Sequence, residues 1–172
     1  METQYTFTIR YEYDSDPDLS YYGTYTNNAD APGAIARDRI GRHEYTHFIP
    51  QITEDAHFTS LRAMMHGSKH AYSVKRAREL ARSYVQQDYE RMEAYNNDQW
   101  SVLGCIVAFK VNNIIISESS LWGIESDTDK PKLSRIESDL CYEAYQEGFK
   151  QIAYFTSLAI PELETIERIK RD

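Results

Sequence analysis

Cysteine, proline and glycine are all scarce in this chain of 172 residues, which contains two, five and seven of them respectively. Two cysteines cannot build a disulfide framework. Cys105 and Cys141 both lie within apolar patterns, so we expect buried free thiols of the kind that persist in a reducing cytosol. The sequence also lacks internal repeats, low-complexity segments and Pro/Gly-rich linkers. It therefore predicts one domain over residues 1–172, a length that suffices for a sizeable core.

Long apolar runs are absent as well. No segment approaches the ~18 consecutive apolar residues that a membrane-spanning helix needs, and we expect no association with a membrane. The first residues, METQYTFTIRYEY, lack the basic segment and apolar core of a secretory signal. The sequence also contains no Gly-rich phosphate loop, no Gly-x-Ser-x-Gly motif and no Cys–His pairing, which removes the simplest sequence support for those enzyme classes.

Positive charge is in short supply, since 19 Lys and Arg stand against 27 Asp and Glu, for a net charge of −8. Domains that bind nucleic acid usually carry a basic excess, so we expect no direct binding of nucleic acid. Residues 1–30 contain six acidic residues and one basic residue, and residues 114–147 contain eight and three. Residues 31–82 have the opposite balance, with five acidic and nine basic residues. The two acidic segments are therefore candidates for contact with a basic partner.

The strongest local pattern predicts a β-hairpin at about residues 100–122. Val102–Val111 is an apolar, β-branched run, and a second apolar run begins at Ile114. Between them, Asn112-Asn113 supplies two residues that tolerate positive φ, as a type I′ turn requires. Because the runs hardly alternate with polar residues, we expect the hairpin to lie centrally in its sheet. Trp122 is expected to be buried where the second strand meets the following helix.

The remaining pattern predicts an α+β domain, in which an antiparallel sheet with this central hairpin is packed by a long helix and by C-terminal helices. Residues 3–13 alternate between apolar and polar side chains, as a half-buried strand does. Residues 73–96 carry apolar side chains at helical spacing, with Ser73 as the N-cap of the long helix. Further helices are predicted after Asp129 and at residues 162–169.

One motif points to metal chemistry. His43-Glu44-x-x-His47 matches H-E-x-x-H, in which two histidines one helical turn apart hold Zn²⁺ and the glutamate activates a bound water. The motif requires a helix, but Gly41 precedes it and Pro50 follows it closely. No convincing third ligand is found in the sequence. We therefore expect no cofactor, and we keep a zinc-dependent, metallopeptidase-like hydrolase with Glu44 as its catalytic residue as the alternative.

Two acidic clusters and a group of tyrosines form the candidate binding surface. The clusters resemble calcium loops, but neither has the Gly at position six and the Glu at position twelve of an EF-hand. Turn formation and helix capping explain these acids more simply. Tyrosine is enriched in interfaces, although most tyrosines line strand and helix faces with their hydroxyls at the rim. The candidate residues are Asp14, Asp16, Asp18, Tyr21, Tyr22, Tyr25, Glu125, Asp127 and Asp129.

Three segments give the chain a resemblance to a group of known proteins. They are IRYEYDSDPDLSYYGTYT, ARELARSYVQQDYERMEAYNNDQW and SLWGIESDTD, the last from Ser120 to Asp129 and the most specific. They resemble small uncharacterised proteins carried by phages and other mobile elements. The resemblance implies an accessory role, which in such proteins includes inhibition of host defence, as in the anti-CRISPR and anti-restriction types. It assigns no catalytic residue.

The resemblance and the acidic clusters together predict a non-enzymatic binding protein that inhibits a host defence complex, such as CRISPR or restriction machinery. Its acidic patches would mimic or compete with nucleic acid at a basic cleft, or block a protein interface. The expected partner is a host protein or nucleoprotein complex with a basic surface, in the cytoplasm of the bacterial host. The sequence leaves open whether the protein forms a homodimer. The alternatives are the zinc hydrolase and an accessory structural or regulatory protein.

Overall fold

Residues 3–37, 45–64 and 73–158 are the parts of the chain that the computed structural model describes, and both strands and helices occur in them. This confirms the predicted α+β class. The strands are β1 (Tyr5–Tyr13), β2 (Gly23–Thr26), β3 (Ile35–Ala36), β4 (His47–Pro50), β5 (Val102–Val111) and β6 (Ile114–Glu125). The helices are α1 (Glu54–Met64), α2 (Val74–Asn96) and α3 (Lys130–Ser157). The helix predicted at residues 162–169 lies outside the described residues.

The chain divides into two compact units. One, which we call the hairpin unit, consists of Met1–Ser15 and Val102–Asp172, and the other, the inserted unit, consists of Asp16–Ser101. Each contains a three-stranded sheet, with strand order β1-β5-β6 in the hairpin unit and β2-β4-β3 in the inserted unit. A single domain over residues 1–172 stays a prediction.

The hairpin unit is built around β5, which pairs antiparallel with β1 on one side and β6 on the other. Val111 pairs with Ile114, and Asn112 and Asn113 have φ values of 48° and 67°. These values confirm the predicted two-residue turn. β5 is the middle strand, whereas β6 lies at an edge of the described sheet. The edge position agrees with the polar residues Glu118–Ser120 in β6, because an edge strand is partly exposed to water. Ser117 is buried, and its hydroxyl donates a hydrogen bond to the carbonyl of Ala144 in α3.

Helix α3 packs on the face of the sheet formed by β5 and β6. Val107 and Phe109 of β5 meet Leu140 and Ala144 of α3 in the core of this unit. Gly148, in the middle of α3, allows the close approach, since a Cβ atom there would overlap the ring of Phe109. Glycine inside a helix costs ~1 kcal/mol relative to alanine, and the contact with Phe109 offsets that cost.

The inserted unit places α2 against its small sheet. Phe48 of β4 packs with Tyr89 and Met92 of α2. Ser73 caps the helix as predicted, because its hydroxyl oxygen accepts a hydrogen bond from the backbone N–H of Arg76 at 3.2 Å. The helix that packs on the hairpin is thus α3, while α2 packs on the β2-β4-β3 sheet.

Trp122 is 45% exposed, so the expectation that it would be buried beside the following helix is wrong. The pairing of β5 with β6 explains its position. Leu103 pairs with Ile124 and Cys105 with Leu121, which leaves Trp122 and Gly123 together opposite Gly104 in a β-bulge. The Trp122 ring lies against Gly104, on the face of the sheet that points away from α3.

Candidate binding surface

Strand β1 is the outer strand of its sheet within the described residues. The carbonyl of Gln4 accepts a hydrogen bond from the N–H of Asn112, and the N–H of Asp14 donates to the carbonyl of Val102, both at 2.9 Å. Backbone groups alternate between the two sides of a strand, so the even-numbered residues of β1 bond to β5. The N–H and C=O groups of the odd-numbered residues therefore point away from β5, along an edge that no other described strand occupies.

The side chains of these odd-numbered residues form an apolar stripe beside α3. Each pairs with a β5 residue of the α3-facing side, for example Phe7 with Phe109 and Tyr11 with Cys105. The stripe is only half covered, because α3 packs over β5 and β6. Tyr5, Phe7, Ile9 and Tyr11 are 52%, 41%, 43% and 39% exposed.

Two aromatic residues of α3 continue the stripe. Tyr145 and Phe149 are 40% and 38% exposed, and their ring centroids lie 4.5 Å apart. Phe149 also lies 5.8 Å from the ring of Tyr5 and 5.8 Å from the ring of Phe109. We call this surface the aromatic band, and its members are Tyr5, Phe7, Ile9, Tyr11, Tyr145 and Phe149.

A hydrogen bond fixes the position of α3 beside the band. The hydroxyl of Tyr11 donates to a carboxylate oxygen of Glu137 at 2.8 Å. Burial, and then this hydrogen bond, raise the pKa of Tyr11 above its ordinary value, so the phenol stays protonated at neutral pH. Beneath it, Cys105 is a buried free cysteine, as predicted, and burial raises the pKa of its thiol. Cys141 is also free and is half-buried.

Four of the predicted acidic residues lie near one end of the hairpin unit's sheet. Asp14 bonds to Val102 from the β1 side, and Glu125 pairs with Val102 from the β6 side. Since neighbouring strands lie ~4.8 Å apart, the backbones of Asp14 and Glu125 are ~10 Å apart. Asp127 and Asp129 follow in the turn that leads into α3. We call these four residues, Asp14, Glu125, Asp127 and Asp129, the acidic end.

Asp129 has a structural role as well. It is the N-cap of α3, and its carboxylate accepts a hydrogen bond from the backbone N–H of Lys132 at 2.8 Å. This confirms the sequence interpretation of the 127–129 acids as capping candidates, because one of them occupies the N-cap. A substitution at Asp129 would therefore alter the helix as well as the charge.

The other predicted acids belong to the inserted unit. Asp16 and Asp18 follow the boundary after Ser15, so a single negative face made of residues 14–18 and 125–129 stays a prediction. The carboxylate of Asp18 accepts a hydrogen bond from the N–H of Ser20 at 2.9 Å. Hydrogen bonds from Ser20 lower the pKa of Asp18. The local role of Asp18 is thus to close the turn before β2.

The three predicted tyrosines differ in their surroundings. Tyr21 is 51% exposed, and its ring centroid lies 4.5 Å from that of Tyr22. Tyr22 packs at 6.1 Å against the edge of Trp100. Tyr25 is half-buried, and its hydroxyl donates to Glu93 at 2.9 Å. Tyr21 is therefore the member of the group best placed to meet a partner, while Tyr22 and Tyr25 also contribute to the core.

A buried ion pair beside Tyr25 was not predicted from the sequence. The Arg37 side chain is 1% exposed, and its guanidinium donates to both carboxylate oxygens of Glu93, at 2.9 and 3.1 Å. It also donates to the carbonyl of Tyr45 at 3.0 Å and lies 4.5 Å from the centroid of the Tyr25 ring. This network joins α2 to the segments that flank β3 and β4. We assign it a structural role.

Of the three residues that define the zinc motif, the structure describes one, His47. His43 and Glu44 lie outside the described residues. His47 is the first residue of β4 and pairs with Thr26 and Ala36, so it does not lie on a helix as the motif requires. Within the described ranges, no group of three or more His, Cys, Asp or Glu residues is arranged to hold a metal ion.

We expect purified protein to contain well under one equivalent of zinc, because a strand does not place His47 one helical turn from His43. Elemental analysis of protein prepared with added zinc measures this directly. Bound zinc at one equivalent, lost in both His43→Ala and His47→Ala, would make the hydrolase the leading interpretation.

No family model, curated protein or solved structure matches the chain. In the parts of the chain that the structure describes, no helix is both long enough and apolar enough to cross a membrane.

Proposed function

We propose that this chain is a non-enzymatic binding protein of a phage or mobile element, and that it inhibits a host defence complex by occupying a basic surface. The observation that supports the proposal is the acidic end, where Asp14 and Glu125 flank Val102 and the turn with Asp127 and Asp129 follows. The proposed origin and the proposed class of target are based on the resemblance of the three segments.

The spacing of these acids favours their joint action on a partner. The ~10 Å between the backbones of Asp14 and Glu125 is only slightly more than the Debye length of ~8 Å at physiological ionic strength, so salt screens the combined field of these carboxylates only in part. A compact patch of one charge raises the rate at which a protein meets a partner of the opposite charge. The net charge of −8 adds a weaker, longer-range attraction in the same direction.

Competition is the mode of inhibition that this surface supports. A cleft that binds nucleic acid presents lysine and arginine to phosphates, and much of that attraction is independent of sequence. Carboxylates can meet the same side chains through charge-assisted hydrogen bonds. The chain would then exclude nucleic acid from the cleft without catalysis.

The decisive experiment is a phage plating assay in bacterial strains that carry one CRISPR or restriction system each. Expression of the chain should restore plating of a targeted phage in at least one strain, and leave plating unchanged in a strain without the system. Unchanged plating in every strain would contradict the inhibitory role and favour an accessory structural or regulatory protein.

We expect charge reversal at the acidic end to slow association with the purified target complex ~10–100-fold at low salt. The test variant is Asp14→Lys/Glu125→Lys/Asp127→Lys, which leaves the Asp129 cap in place. Its matched control is Glu90→Lys/Asp139→Lys/Glu147→Lys, three exposed acids on α2 and α3 whose reversal changes the net charge equally.

Association is measured by surface plasmon resonance at several salt concentrations, with circular dichroism to verify folding. Because exposed charges are screened by salt, the difference between the two variants should shrink as ionic strength rises. Equal rates for the two variants would remove the acidic end from the mechanism. Tyr21 would be the next residue to substitute.

A further inference from the structure

We infer that a second copy of this chain docks along β1, so that two hairpin-unit sheets join edge to edge in one six-stranded antiparallel sheet. This inference concerns self-association and does not depend on the proposed function.

The edge of β1 lacks most of the features that keep exposed strands apart. Natural proteins protect such edges with proline, with charged side chains and above all lysine, with bulges or with short strands. Of these, β1 has two charged side chains, Arg10 and Glu12, which form an ion pair with each other at 2.9 Å. β1 contains neither proline nor lysine, and it pairs with β5 without a register shift from Tyr5–Val111 to Tyr13–Leu103. β6, at the other edge, has two register shifts against β5 and a polar central run. Of the two edges, only that of β1 is regular over its full length.

The outward backbone groups of β1 suit pairing about a two-fold axis. The N–H and C=O groups of residues 5, 7, 9, 11 and 13 point away from β5. Centring the axis on Ile9 sets Phe7 opposite the partner's Tyr11, and Tyr5 opposite the partner's Tyr13. Such pairing forms about ten backbone hydrogen bonds and brings the two aromatic bands side by side.

The charges of β1 are compatible with this register. On the other face of the strand, Arg10 lies opposite the partner's Thr8 and Glu12 opposite the partner's Thr6, so no like charges lie directly opposite each other, and the two Arg10 side chains are diagonal neighbours. An axis at Arg10 would set two guanidinium groups directly against each other. An axis at Tyr11 would pair Arg10 with the partner's Glu12, but it leaves Tyr5 and Phe7 without backbone partners. An exposed cross-strand ion pair contributes less than the backbone bonds it would replace.

The exposed area also approaches what a stable dimer needs. The aromatic band and Tyr13, which is 79% exposed, offer on the order of 600 Å² of exposed side-chain surface, given the size of aromatic side chains. A specific interface buries ~800 Å² on each partner. The strand backbone and the polar side chains beside it supply the remainder.

Sedimentation velocity of the full chain tests the inference. We expect a dimer at micromolar concentration, and we expect Ile9→Lys, which sets two ammonium groups together at the axis, to raise the dissociation constant at least ~100-fold. Ile9 is 43% exposed, so the variant should fold, and circular dichroism verifies this. The matched control is Ile114→Lys, which alters an exposed isoleucine of β6 and should leave the dimer intact.

Cysteine cross-linking tests the register. In the Ile9-centred pairing Thr8 faces the partner's Arg10 at a Cα separation of ~4.5 Å, within the range for a disulfide. Thr8→Cys/Arg10→Cys should therefore form a covalent dimer on oxidation, whereas Thr6→Cys/Thr8→Cys and the unsubstituted chain should not. A monomer at all concentrations, or a dimer that Ile9→Lys leaves unchanged, would overturn the inference, whatever the plating assay shows.

Discussion

Replacement of Glu93 by alanine is expected to lower the free energy of unfolding by about 3–5 kcal/mol, the range for removing one partner of a buried ion pair. The substitution would leave the Arg37 guanidinium, 1% exposed, without its carboxylate. Burial lowers the pKa of Arg37, but the hydrogen bonds and charge of Glu93 more than offset this and raise it overall. The ordinary pKa of arginine is high enough that the guanidinium stays charged after the substitution as well. The Tyr45 carbonyl and the Tyr25 ring would remain as its partners, but no carboxylate would offset the cost of burying its charge.

Urea denaturation measures this loss of stability. Two further variants show whether the loss comes from breaking the ion pair. Glu90→Ala removes an exposed glutamate from the same helix and should change stability by less than ~0.5 kcal/mol. Arg37→Met/Glu93→Leu replaces the whole pair by apolar side chains, which should cost less than Glu93→Ala alone. If Glu93→Ala were as mild as Glu90→Ala, the ion pair would not support the fold of the inserted unit.

Replacement of Phe109 by alanine should be equally severe in the hairpin unit, at about 3–5 kcal/mol. Phe109 is fully buried, and its ring centroid lies 5.3 Å from that of Phe7, 5.7 Å from Tyr145 and 5.8 Å from Phe149. The cavity would lie beneath Gly148, and a backbone cannot readily move in to fill it. The aromatic band would lose the buried Phe109 ring that Phe7, Tyr145 and Phe149 contact.

The matched substitution is Phe7→Ala, which removes the same side chain from a position that is 41% exposed. We expect about half the loss, because the cost of truncation scales with the apolar area that was buried. Guanidinium denaturation of both variants gives the comparison. Equal losses would show that Phe109 does not organise this core.

The local elements of the fold could be predicted from the sequence, whereas their partners could not. The turn at Asn112-Asn113 and the cap at Ser73 depend on a few neighbouring residues, and both are confirmed. The alternation of residues 3–13 predicted a strand, but its pairing with β5 joins residues separated by the whole inserted unit. The exposure of Trp122 depends on the bulge opposite Gly104, which no local pattern signals.

The candidate surface could be predicted only in part, because its local patterns are visible in the sequence and the pairing of its strands is not. Asp14 and Glu125 were singled out as members of two acidic clusters, and their common neighbour Val102 became known only from the register of the sheet. The stripe from Tyr5 to Tyr11 was visible as an alternating pattern. Its exposure was not, because the alternation is the same for a central strand and for an edge strand.

The long separation between β1 and β5 has a consequence during protein synthesis. Residues 14–101 must be made before the first residue of β5 emerges, which takes ~4–18 s at ~5–20 residues per second. The inserted unit can therefore be fully synthesised before β5, the strand that pairs with β1, has been made. Throughout that interval both edges of β1, with its apolar stripe, are unpaired, whereas one edge pairs with β5 in the folded sheet. Neighbouring nascent chains on one messenger would then bring their β1 strands close together, and the order of synthesis itself exposes this strand to chaperones and to its own copies.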